Sequence, residues 1–518
     1  MPELARGRSS ASVIAPPPSR LAPASSYELP RPDALAAHII EGKRELDRTT
    51  LHELWRAPQS MRDAPPAVQT GEGKYRVPLG TPLPLVETLS HRLVDGAHLW
   101  IGVEEGIAIT MSKQEHALFL RLRDGTPPDA IAALIAGDRG ARTRRRVAAQ
   151  VHALIGRLAT AGFVRGIEGY TDVWKPQPRR FMRLHLTQRC NLSCVHCYAD
   201  SSPHVSTKGQ MSVERWLKVI DDFADAGGER ILFTGGEALV YPGCDRLLER
   251  AHARRLDVTL FSNGILIQRH IDAIRSYVDQ VQISIDGPDA ATNDPIRGPG
   301  SFRRAVEAVD FLVAAGVRVR IGMVVMERNW AAMKAGFIDF TKRWDGRNVE
   351  FRLGYGLTHH GRGDDIEDSL DINDTRPVVE QMMEQIEGSA GPRIARRTKG
   401  CGYAEQIVVA SDGSVHPCHL LDGAITHVDK QPMAALIGML EGVAQEYDVD
   451  HNLGCNRCDI RNLCGGTCRI QNGKATGNRR VTNCTADDKL HRLRNLVRTF
   501  SESDAGAVPA NVLAGEWE

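Results

Sequence analysis

Apolar and polar residues alternate through much of the segment between residues 82 and 110. The stretch PLVETLSHRLVDGAHLWIGVEEGIAIT is interrupted at Asp95-Gly96 and again at Glu105-Gly106. Glycine-containing turns between alternating runs are typical of β-hairpins. The pattern therefore predicts a small antiparallel sheet.

A helical period replaces this alternation from about residue 112. Three helical patterns begin near residues 112, 128 and 141. The third carries five apolar residues on one face and stops at Gly162; they are Val147, Val151, Leu154, Ile155 and Leu158. Hairpin strands followed by three short helices predict a winged-helix domain over residues 81–170.

Strand and helix patterns alternate from about residue 180 onwards. The predicted strands are Phe181–Thr187, Arg230–Thr234, Asp257–Ser262, Gln280–Ile285, Val317–Val325 and Val349–Tyr355. Helical stretches separate them near 212–226, 243–254, 268–276, 301–315 and 330–343. Repeated βα units favour a parallel sheet that curls into a barrel. We therefore expect an α/β fold with a partial (β/α)6 barrel over residues 178–362, whose chemistry lies at the carboxyl ends of the strands.

The remaining segments carry weaker patterns. Residues 1–80 are rich in Pro, Ala, Ser and Arg, which predicts a flexible N-terminal extension or a tethered recognition segment. Within it, only a stretch near 33–56 could be helical. We expect a linker at 363–400, a cysteine-rich domain at 401–490, and a C-terminal helix and tail at 491–518.

Charge and hydropathy narrow the range of partners. The chain has 518 residues and a net charge of +1, which gives no electrostatic reason to expect nucleic acid or a membrane surface. It contains no apolar run of about 18 residues and no N-terminal secretory pattern. We expect a cytoplasmic protein that binds neither nucleic acid nor membrane.

Eleven cysteines are unusual in such a protein, and their positions are uneven. None precedes Cys190, and seven lie between Cys401 and Cys484. Crowded thiols in a reducing compartment usually bind metal or perform chemistry. Cys190, Cys194 and Cys197 form a C-x3-C-x2-C loop directly after the first barrel strand. Three thiolates would leave one iron of a 4Fe–4S cluster open, whereas structural zinc normally takes four ligands.

This loop, followed by the aromatic residue Tyr198, resembles the hallmark of the radical S-adenosylmethionine (SAM) superfamily. The resemblance implies that SAM binds the open iron and is cleaved reductively to a 5′-deoxyadenosyl radical. It also implies SAM contacts from Tyr198 beside the loop and from residues at or after further strands; these are Gly235, Gly236, Glu237, Ser262, Asn263, Ser284 and Arg297. Asn293 stands where the family pattern has His, so no proton-transfer role is carried over to it. Asp286 fits either a functional role or a structural turn.

The later cysteines resemble a second family signature, that of the SPASM extension with two auxiliary 4Fe–4S clusters. By this resemblance Cys455, Cys458, Cys464 and Cys484 bind one cluster, and Cys401, Cys418 and Cys468 bind the other. The latter set is one ligand short, which leaves a substrate atom, water or another side chain as the fourth ligand. The resemblance thus implies three 4Fe–4S clusters and SAM as cofactors. Cys244 is expected to be a core thiol.

Two further features bear on the substrate. His419 stands where sulfatase-maturating relatives have a proposed basic Asp; it could accept a proton, ligate iron or be structural. Residues 85–168 resemble the PqqD-like domain, which captures the leader segment of a precursor peptide by adding it as a strand to its sheet.

The preferred hypothesis is a radical SAM peptide maturase that installs an oxidative carbon–carbon or thioether crosslink in a ribosomally made precursor peptide. Its partners would be that peptide, bound through its leader, and an electron donor such as flavodoxin or ferredoxin. A radical SAM/SPASM enzyme of cofactor or tetrapyrrole biosynthesis is the enzymatic alternative. A zinc-binding, winged-helix DNA regulator is the alternative from another class.

Overall fold

The N-terminal domain is built on a four-stranded antiparallel sheet. The computed structural model describes residues 52–57, 62, 68–70, 74–76, 79–166, 180–368, 370–387, 398–503 and 512–513. The strands of this sheet are β1 (His52–Arg56), β4 (Thr88–Val94), β5 (Ala97–Gly102) and β6 (Ile107–Met111). Two short strands, β2 (Val68–Thr70) and β3 (Lys74–Arg76), lie in a separate small sheet with β16 (Val512–Leu513).

Three helices cover one face of the four-stranded sheet, as the sequence predicted. They are α1 (Lys113–Arg123), α2 (Pro128–Ala136) and α3 (Ala141–Thr160). A capping box between Ser112 and Glu115 begins α1 by satisfying backbone N–H groups of its first turn. All five apolar residues predicted on one face of α3 are buried. The hairpin strands and the three helices are therefore confirmed as elements.

The strand β1 differs from the expectation for residues 1–80. Its residues fall in the stretch 33–56 that could be helical, within the predicted flexible extension. Instead, His52–Arg56 pairs antiparallel with β4, with Trp55 opposite Leu89. The open edge of β4 offers hydrogen bonds that local sequence does not reveal, so tertiary pairing overrides local preference. Residues 1–51 lie outside the described residues.

The barrel has the six parallel strands that the sequence predicted, with ends shifted by at most two residues. They are β7 (Phe181–His185), β8 (Arg230–Thr234), β9 (Asp257–Ser262), β10 (Gln280–Ser284), β11 (Arg318–Val324) and β12 (Val349–Gly354). The connecting helices are α4 (Val213–Asp225), α5 (Cys244–Ala253), α6 (Ile271–Tyr277), α7 (Ala290–Arg297), α8 (Ser301–Ala314) and α9 (Glu327–Thr341). Apolar strand residues and these helices share one large core. The α/β class is confirmed.

Polar side chains lie side by side on one face of the last three barrel strands. Gln282 of β10 is paired in register with Arg320 of β11, which in turn is opposite Glu350 of β12. The Glu350 carboxylate accepts hydrogen bonds from Arg320 and from the Gln280 amide.

The C-terminal region continues the barrel sheet, which the sequence did not predict. β13 (Ile407–Val409) pairs parallel with β7, and β14 (Ser414–His416) and β15 (Thr426–His427) follow antiparallel. The combined sheet has nine strands. Cys418 consequently follows a strand of the sheet that also contains β7.

Helices complete the C-terminal region; they are α10 (Ile372–Glu387), α11 (Met433–Glu446), α12 (Arg461–Cys464), α13 (Arg469–Thr476) and α14 (Ala486–Ser503). The segment 363–400, expected to be a linker, contains α10, which buries Val379 and Met382 against the core. The amphipathic spacing of these residues is the local cause. The expected final helix is present as α14. Within the described residues, no helix has the length and apolar character needed to cross a membrane.

Candidate functional site

The loop after β7 carries Cys190, Cys194 and Cys197 as free thiols. Cys190 is 8% exposed, and its burial raises the pKa of its thiol to about 12. Backbone N–H groups of Leu192 and Ser201 donate to the sulfurs of Cys190 and Cys197, each at 3.4 Å. Such donors stabilise a thiolate once it binds a metal. The loop therefore presents three sulfur donors to one region at the carboxyl end of β7.

Arg362 holds this cysteine loop in shape, and the sequence analysis did not identify it. Its guanidinium donates to the carbonyls of Cys194 and Ser201, at 3.0 and 2.7 Å, and to the Asp200 carboxylate at 2.8 Å. The preceding Gly361 has φ of 57°, and a Cβ there would lie 2.5 Å from the Tyr198 carbonyl oxygen. The GRG sequence after β12 was the feature of the sequence that could have pointed to this role of Arg362.

Gly235 and Gly236 lie beside the cysteine loop because they end the neighbouring strand β8. A Cβ on Gly235 would lie 2.4 Å from the Thr187 carbonyl oxygen, and one on Gly236 would lie 2.4 Å from that of Arg189. Gly235 also has φ of 143°, which other residues rarely adopt. These two glycines are therefore required for the turn to approach the loop.

Glu237 is buried, and both of its carboxylate oxygens have partners within the protein. Oε1 accepts from the Ser262 hydroxyl at 3.0 Å and from Leu239 N–H at 3.2 Å, while Oε2 accepts from Asn263 N–H at 2.8 Å. Burial raises its pKa to about 7 in spite of these bonds. Glu237 and Ser262 thus tie the end of β8 to the end of β9, and their contact with SAM stays a prediction.

Asn263 connects the third strand end to the cysteine loop. Its amide nitrogen donates to Asn191 Oδ1 at 2.6 Å and lies 3.8 Å from the Cys190 sulfur. Asn191 Nδ2 and His196 Nδ1 are buried without a hydrogen-bond partner among the described residues. Unsatisfied polar groups beside three thiols are what a polar ligand would complete.

Arg297 forms a buried ion pair with Asp286, the residue that the sequence left open. Arg297 Nε lies 2.6 Å from Asp286 Oδ2, and His196 Nε2 lies 3.1 Å from the same oxygen. Burial alone would raise the pKa of Asp286, but Arg297 and His196 hold it well below its usual range. The expected contact of Arg297 with the SAM carboxylate would require Arg297 to bind that carboxylate while it remains paired with Asp286.

Asn293 and Ser284 complete this side of the site. Asn293 is buried, accepts from Asp286 N–H at 2.8 Å and donates to Ser301 at 2.9 Å, which is a structural role. Ser284 ends β10 and is partly exposed.

Cys244 is 1% exposed at the start of α5, within the barrel core, as expected.

A second group of cysteines surrounds one small cavity in the C-terminal region. Cys455, Cys458, Cys464 and Cys484 line it together with Lys489 and Arg492. The structure therefore brings together the four residues that the resemblance implied as one ligand set. Positive side chains at its wall suit four thiolates.

The other three cysteines are also neighbours of one another. Burial, together with the nearby thiols of Cys401 and Cys468, raises the pKa of Cys418 to about 11. His419 Nδ1 lies 3.7 Å from the Cys418 sulfur, and its ring meets the Tyr198 ring edge-on at 5.8 Å. Burial and the positive side chains of Arg183 and Arg352 lower the pKa of His419 to about 4. His419 is thus a neutral imidazole between the first cysteine loop and the third cysteine group.

One close group of possible metal ligands occurs among the described residues. His91, His98 and His116 form a trio whose ligand atoms lie within 4.8 Å of one another.

The histidine trio is a stacked aromatic group of the N-terminal domain. His91 Nε2 lies 3.1 Å from His98 Nδ1, and Trp100 Nε1 donates to His116 Nδ1 at 3.1 Å. The ring planes of His91, His98 and His116 are within 22° of parallel. Imidazole ligands need lone pairs that meet at one point, and parallel stacked rings do not provide this. The trio therefore packs as an aromatic stack.

Comparisons with known proteins agree with this site. Residues 184–334 match the Radical SAM superfamily. AlbA, the antilisterial bacteriocin subtilosin biosynthesis protein of Bacillus subtilis (strain 168), is 30% identical over 307 residues, which are 54% of this chain and 65% of AlbA. An AdoMet-dependent heme synthase of Methanosarcina barkeri is 28% identical over 332 residues, which are 58% of this chain and 93% of the synthase.

Among solved structures, the chain is similar in fold to Streptococcus suis SuiB bound to S-adenosylmethionine. The TM-score is 0.47 at 14% identity, over 79% of this chain and 99% of SuiB. The chain thus spans slightly less than two thirds of AlbA's length and nearly all of the heme synthase.

Proposed function

We propose that the chain is a radical SAM maturase acting on a ribosomally made precursor peptide, since residues 184–334 match the Radical SAM superfamily. One observation carries the proposal: three free thiols at the end of β7 lie against the two glycines that end β8. This match to an enzyme superfamily sets aside the DNA-regulator hypothesis.

In this proposal Cys190, Cys194 and Cys197 hold a 4Fe–4S cluster, and Tyr198, Gly235, Gly236, Glu237, Ser262, Asn263, Ser284 and Arg297 form the SAM pocket. When bound, this cluster would supply the electron that splits SAM into methionine and a 5′-deoxyadenosyl radical, which removes hydrogen from the substrate. Arg362 holds the cysteine loop in shape, and the glycines let the end of β8 lie against that loop. The buried Glu237 fixes the relative position of two strand ends.

We assign the two later cysteine groups to auxiliary clusters, which gives three clusters in all. Cys455, Cys458, Cys464 and Cys484 would hold one, and Cys401, Cys418 and Cys468 the other. Such groups can take up the electron released when a new bond forms, so an oxidative carbon–carbon or thioether crosslink is favoured. A flavodoxin- or ferredoxin-type donor would supply the first electron, and the cytoplasm would be its location.

His419 is our candidate for a catalytic side chain beside the third cysteine group. Its neutral imidazole can accept a proton from the substrate or complete the short ligand set of Cys401, Cys418 and Cys468. Its proximity to Tyr198 supports a position near the SAM pocket.

The proposed substrate is a precursor peptide bound by its leader to the N-terminal domain. The antiparallel sheet with three helices supports such a capture domain, and so does the similarity to AlbA, whose name places it in bacteriocin biosynthesis. Capture on the same chain would raise the local concentration of the peptide at the barrel.

A second candidate is an enzyme of cofactor or tetrapyrrole biosynthesis. Its support is the alignment that covers 93% of an AdoMet-dependent heme synthase. That alignment involves 58% of this chain, so a substantial part of the chain has no counterpart in it. A maturase explains an additional sheet domain better than a tetrapyrrole enzyme does.

Cysteine variants test the cluster assignment. We expect the wild-type chain to hold about twelve irons, and the Cys190/Cys194/Cys197→Ala variant to lose about four and all SAM cleavage. Cys244→Ala is the matched control, because it removes a buried thiol outside the three groups. Formation of 5′-deoxyadenosine by the triple variant would show that the trio is misassigned.

Coexpression with the product of a neighbouring small reading frame tests the substrate. Mass spectrometry should show a loss of two hydrogens for each crosslink formed. An unchanged peptide mass would favour epimerisation, and turnover of a tetrapyrrole in place of the peptide would favour the second candidate.

A further inference from the structure

The sheet of the N-terminal domain is buried on both faces. One face packs on the domain's own helices through residues such as Leu89, Trp100 and Ile109. Residues that alternate with these form the other face, and they are equally buried: Val94, Leu99, Ile101 and Ala108. A small antiparallel sheet usually leaves one face to solvent. A second apolar face therefore requires a cover from elsewhere in the chain.

The cover comes from the second cysteine group and from α14. Ile460 and Leu493 complete the same apolar cluster, and Cys458, Leu463 and Cys464 pack against it. Ile460 and Leu463 lie between the two ligand candidates Cys458 and Cys464. The sheet thus contacts both the short cysteine loop and α14, whose Leu496, Val497 and Phe500 pack against the same cluster.

A buried ionic network fixes this contact at Asp459, the residue after Cys458. Asp459 Oδ2 accepts from Arg92 Nε at 2.8 Å and from the Ser90 hydroxyl at 2.7 Å. Lys489 Nζ lies 3.2 Å from Oδ1. The side chains of Arg92, Asp459 and Lys489 are 1%, 5% and 4% exposed. Burial alone would raise the pKa of Asp459, but Lys489 and Arg92 hold it well below its usual range.

Ser90 and Arg92 come from the same sheet face as the apolar residues. In the β4–β5 register Ser90 is opposite Ile101 and Arg92 is opposite Leu99. Lys489, the third partner, also lines the cavity surrounded by the four cysteines. The network therefore runs from the sheet, through Asp459, to the wall of that cavity.

Two more residues of the loop extend the contact. Asn462 Nδ2 donates to the Val103 carbonyl at 2.8 Å, and Arg461 Nη2 lies 2.6 Å from the Glu104 carboxylate. Four consecutive loop residues, 459–462, thus contact the N-terminal domain.

We propose that this sheet face forms the outer wall of the cluster site of Cys455, Cys458, Cys464 and Cys484, and that Arg92 is a positioning residue for it, acting through Asp459. The inference rests on the cluster assignment under the proposed function. Removing Arg92 leaves a buried carboxylate with fewer partners, which is strongly unfavourable. The loop would then shift to hydrate Asp459 and move Cys458 with it. The domain proposed to capture the leader is thereby joined to one auxiliary cluster.

The test is the rate at which an iron chelator removes iron from the intact, reconstituted chain under anaerobic conditions. We expect Arg92→Ala and the milder Asp459→Asn to release about four irons at least about tenfold faster than the wild type, as for other residues that orient metal ligands. Arg92→Lys should restore part of the protection. Arg494→Ala is the matched control, since it breaks an exposed pair with Asp95 between the same two regions, with the two side chains 52% and 61% exposed.

Each outcome bears on a separate claim. If Arg92→Ala and Asp459→Asn both release iron at the wild-type rate, the positioning role is refuted. If the Cys455/Cys458/Cys464/Cys484→Ala variant keeps all of its iron, the cluster assignment fails instead. If Arg494→Ala released iron faster by the same factor as Arg92→Ala, docking of the N-terminal domain in general, and not Arg92, would protect the site. A reduced unfolding temperature in Asp459→Asn without faster release would likewise contradict the proposal.

Discussion

Close backbone approach and paired buried charges shape the first site at the scale of single residues. Gly235, Gly236 and Gly361 stand where a Cβ would meet a carbonyl oxygen of the cysteine loop. Asp286 and Glu237 are buried carboxylates, each with partners inside the protein. The sequence identified Gly235 and Gly236 by their motif, but not Gly361 or Arg362, which lie far from the cysteines in the chain.

Gly236→Ala should weaken SAM binding. The new methyl group would displace the Arg189 carbonyl, at 2.4 Å, and with it the start of the cysteine loop. We expect the rate of SAM cleavage to fall by at least about tenfold, because misplacing reacting groups slows a reaction by at least this much. Gly442→Ala, in α11 with no atom within 4 Å of its Cβ, is the control. It should raise the free energy of unfolding by about 0.5–1 kcal/mol.

Arg362→Ala should loosen the cysteine loop. The substitution removes three hydrogen bonds made by a charged guanidinium, and each such bond contributes about 1.5–3 kcal/mol. We expect fewer irons at the first site and slower formation of 5′-deoxyadenosine, measured in the same preparation. Arg303→Ala breaks an exposed pair with Glu307 on α8 and should change neither quantity. Normal iron content in Arg362→Ala would mean that the loop holds its shape without the clamp.

At the scale of elements, sheets join segments that are distant in sequence. β1 adds to β4 from the N-terminal extension, and β13 adds to β7 from the cysteine-rich region. The first addition covers an open strand edge, which otherwise promotes aggregation. The second brings Cys418 and His419 toward Tyr198. Neither pairing has a local signal, because each depends on an edge that forms only when the rest has folded.

Truncation tests the role of β1. Removing residues 1–50 keeps this strand, whereas removing residues 1–57 exposes the edge of β4. We expect only the longer truncation to lower the unfolding temperature and to increase light scattering on heating. Equal behaviour of the two truncated chains would show that β1 does not protect this edge.

At the scale of the whole molecule, three cysteine groups lie on one continuous framework. The barrel provides the first, and the extension of its sheet brings the third beside the first. The N-terminal domain closes the second. Removal of that domain would therefore affect more than the proposed peptide capture.

Deleting residues 80–168 should remove about four of about twelve irons while leaving the first cysteine loop in place. The reason is that Asp459 and the apolar cluster around Ile460 would become exposed. Iron analysis together with SAM cleavage distinguishes this loss from that of the Cys190/Cys194/Cys197→Ala variant. Full iron content after the deletion would mean that the cysteine group at Cys455 closes without the sheet.

The sequence by itself determined the six barrel strands, the three N-terminal helices and the three groups of cysteines. These follow from alternation, helical period and spacing, which are local properties of the chain. Only the tertiary structure decided that β13 extends the barrel sheet, that Arg362 holds the cysteine loop, and that Arg92 meets Asp459. These contacts join residues more than 160 positions apart, and their energy comes from burial and charge pairing that exist only in the folded chain.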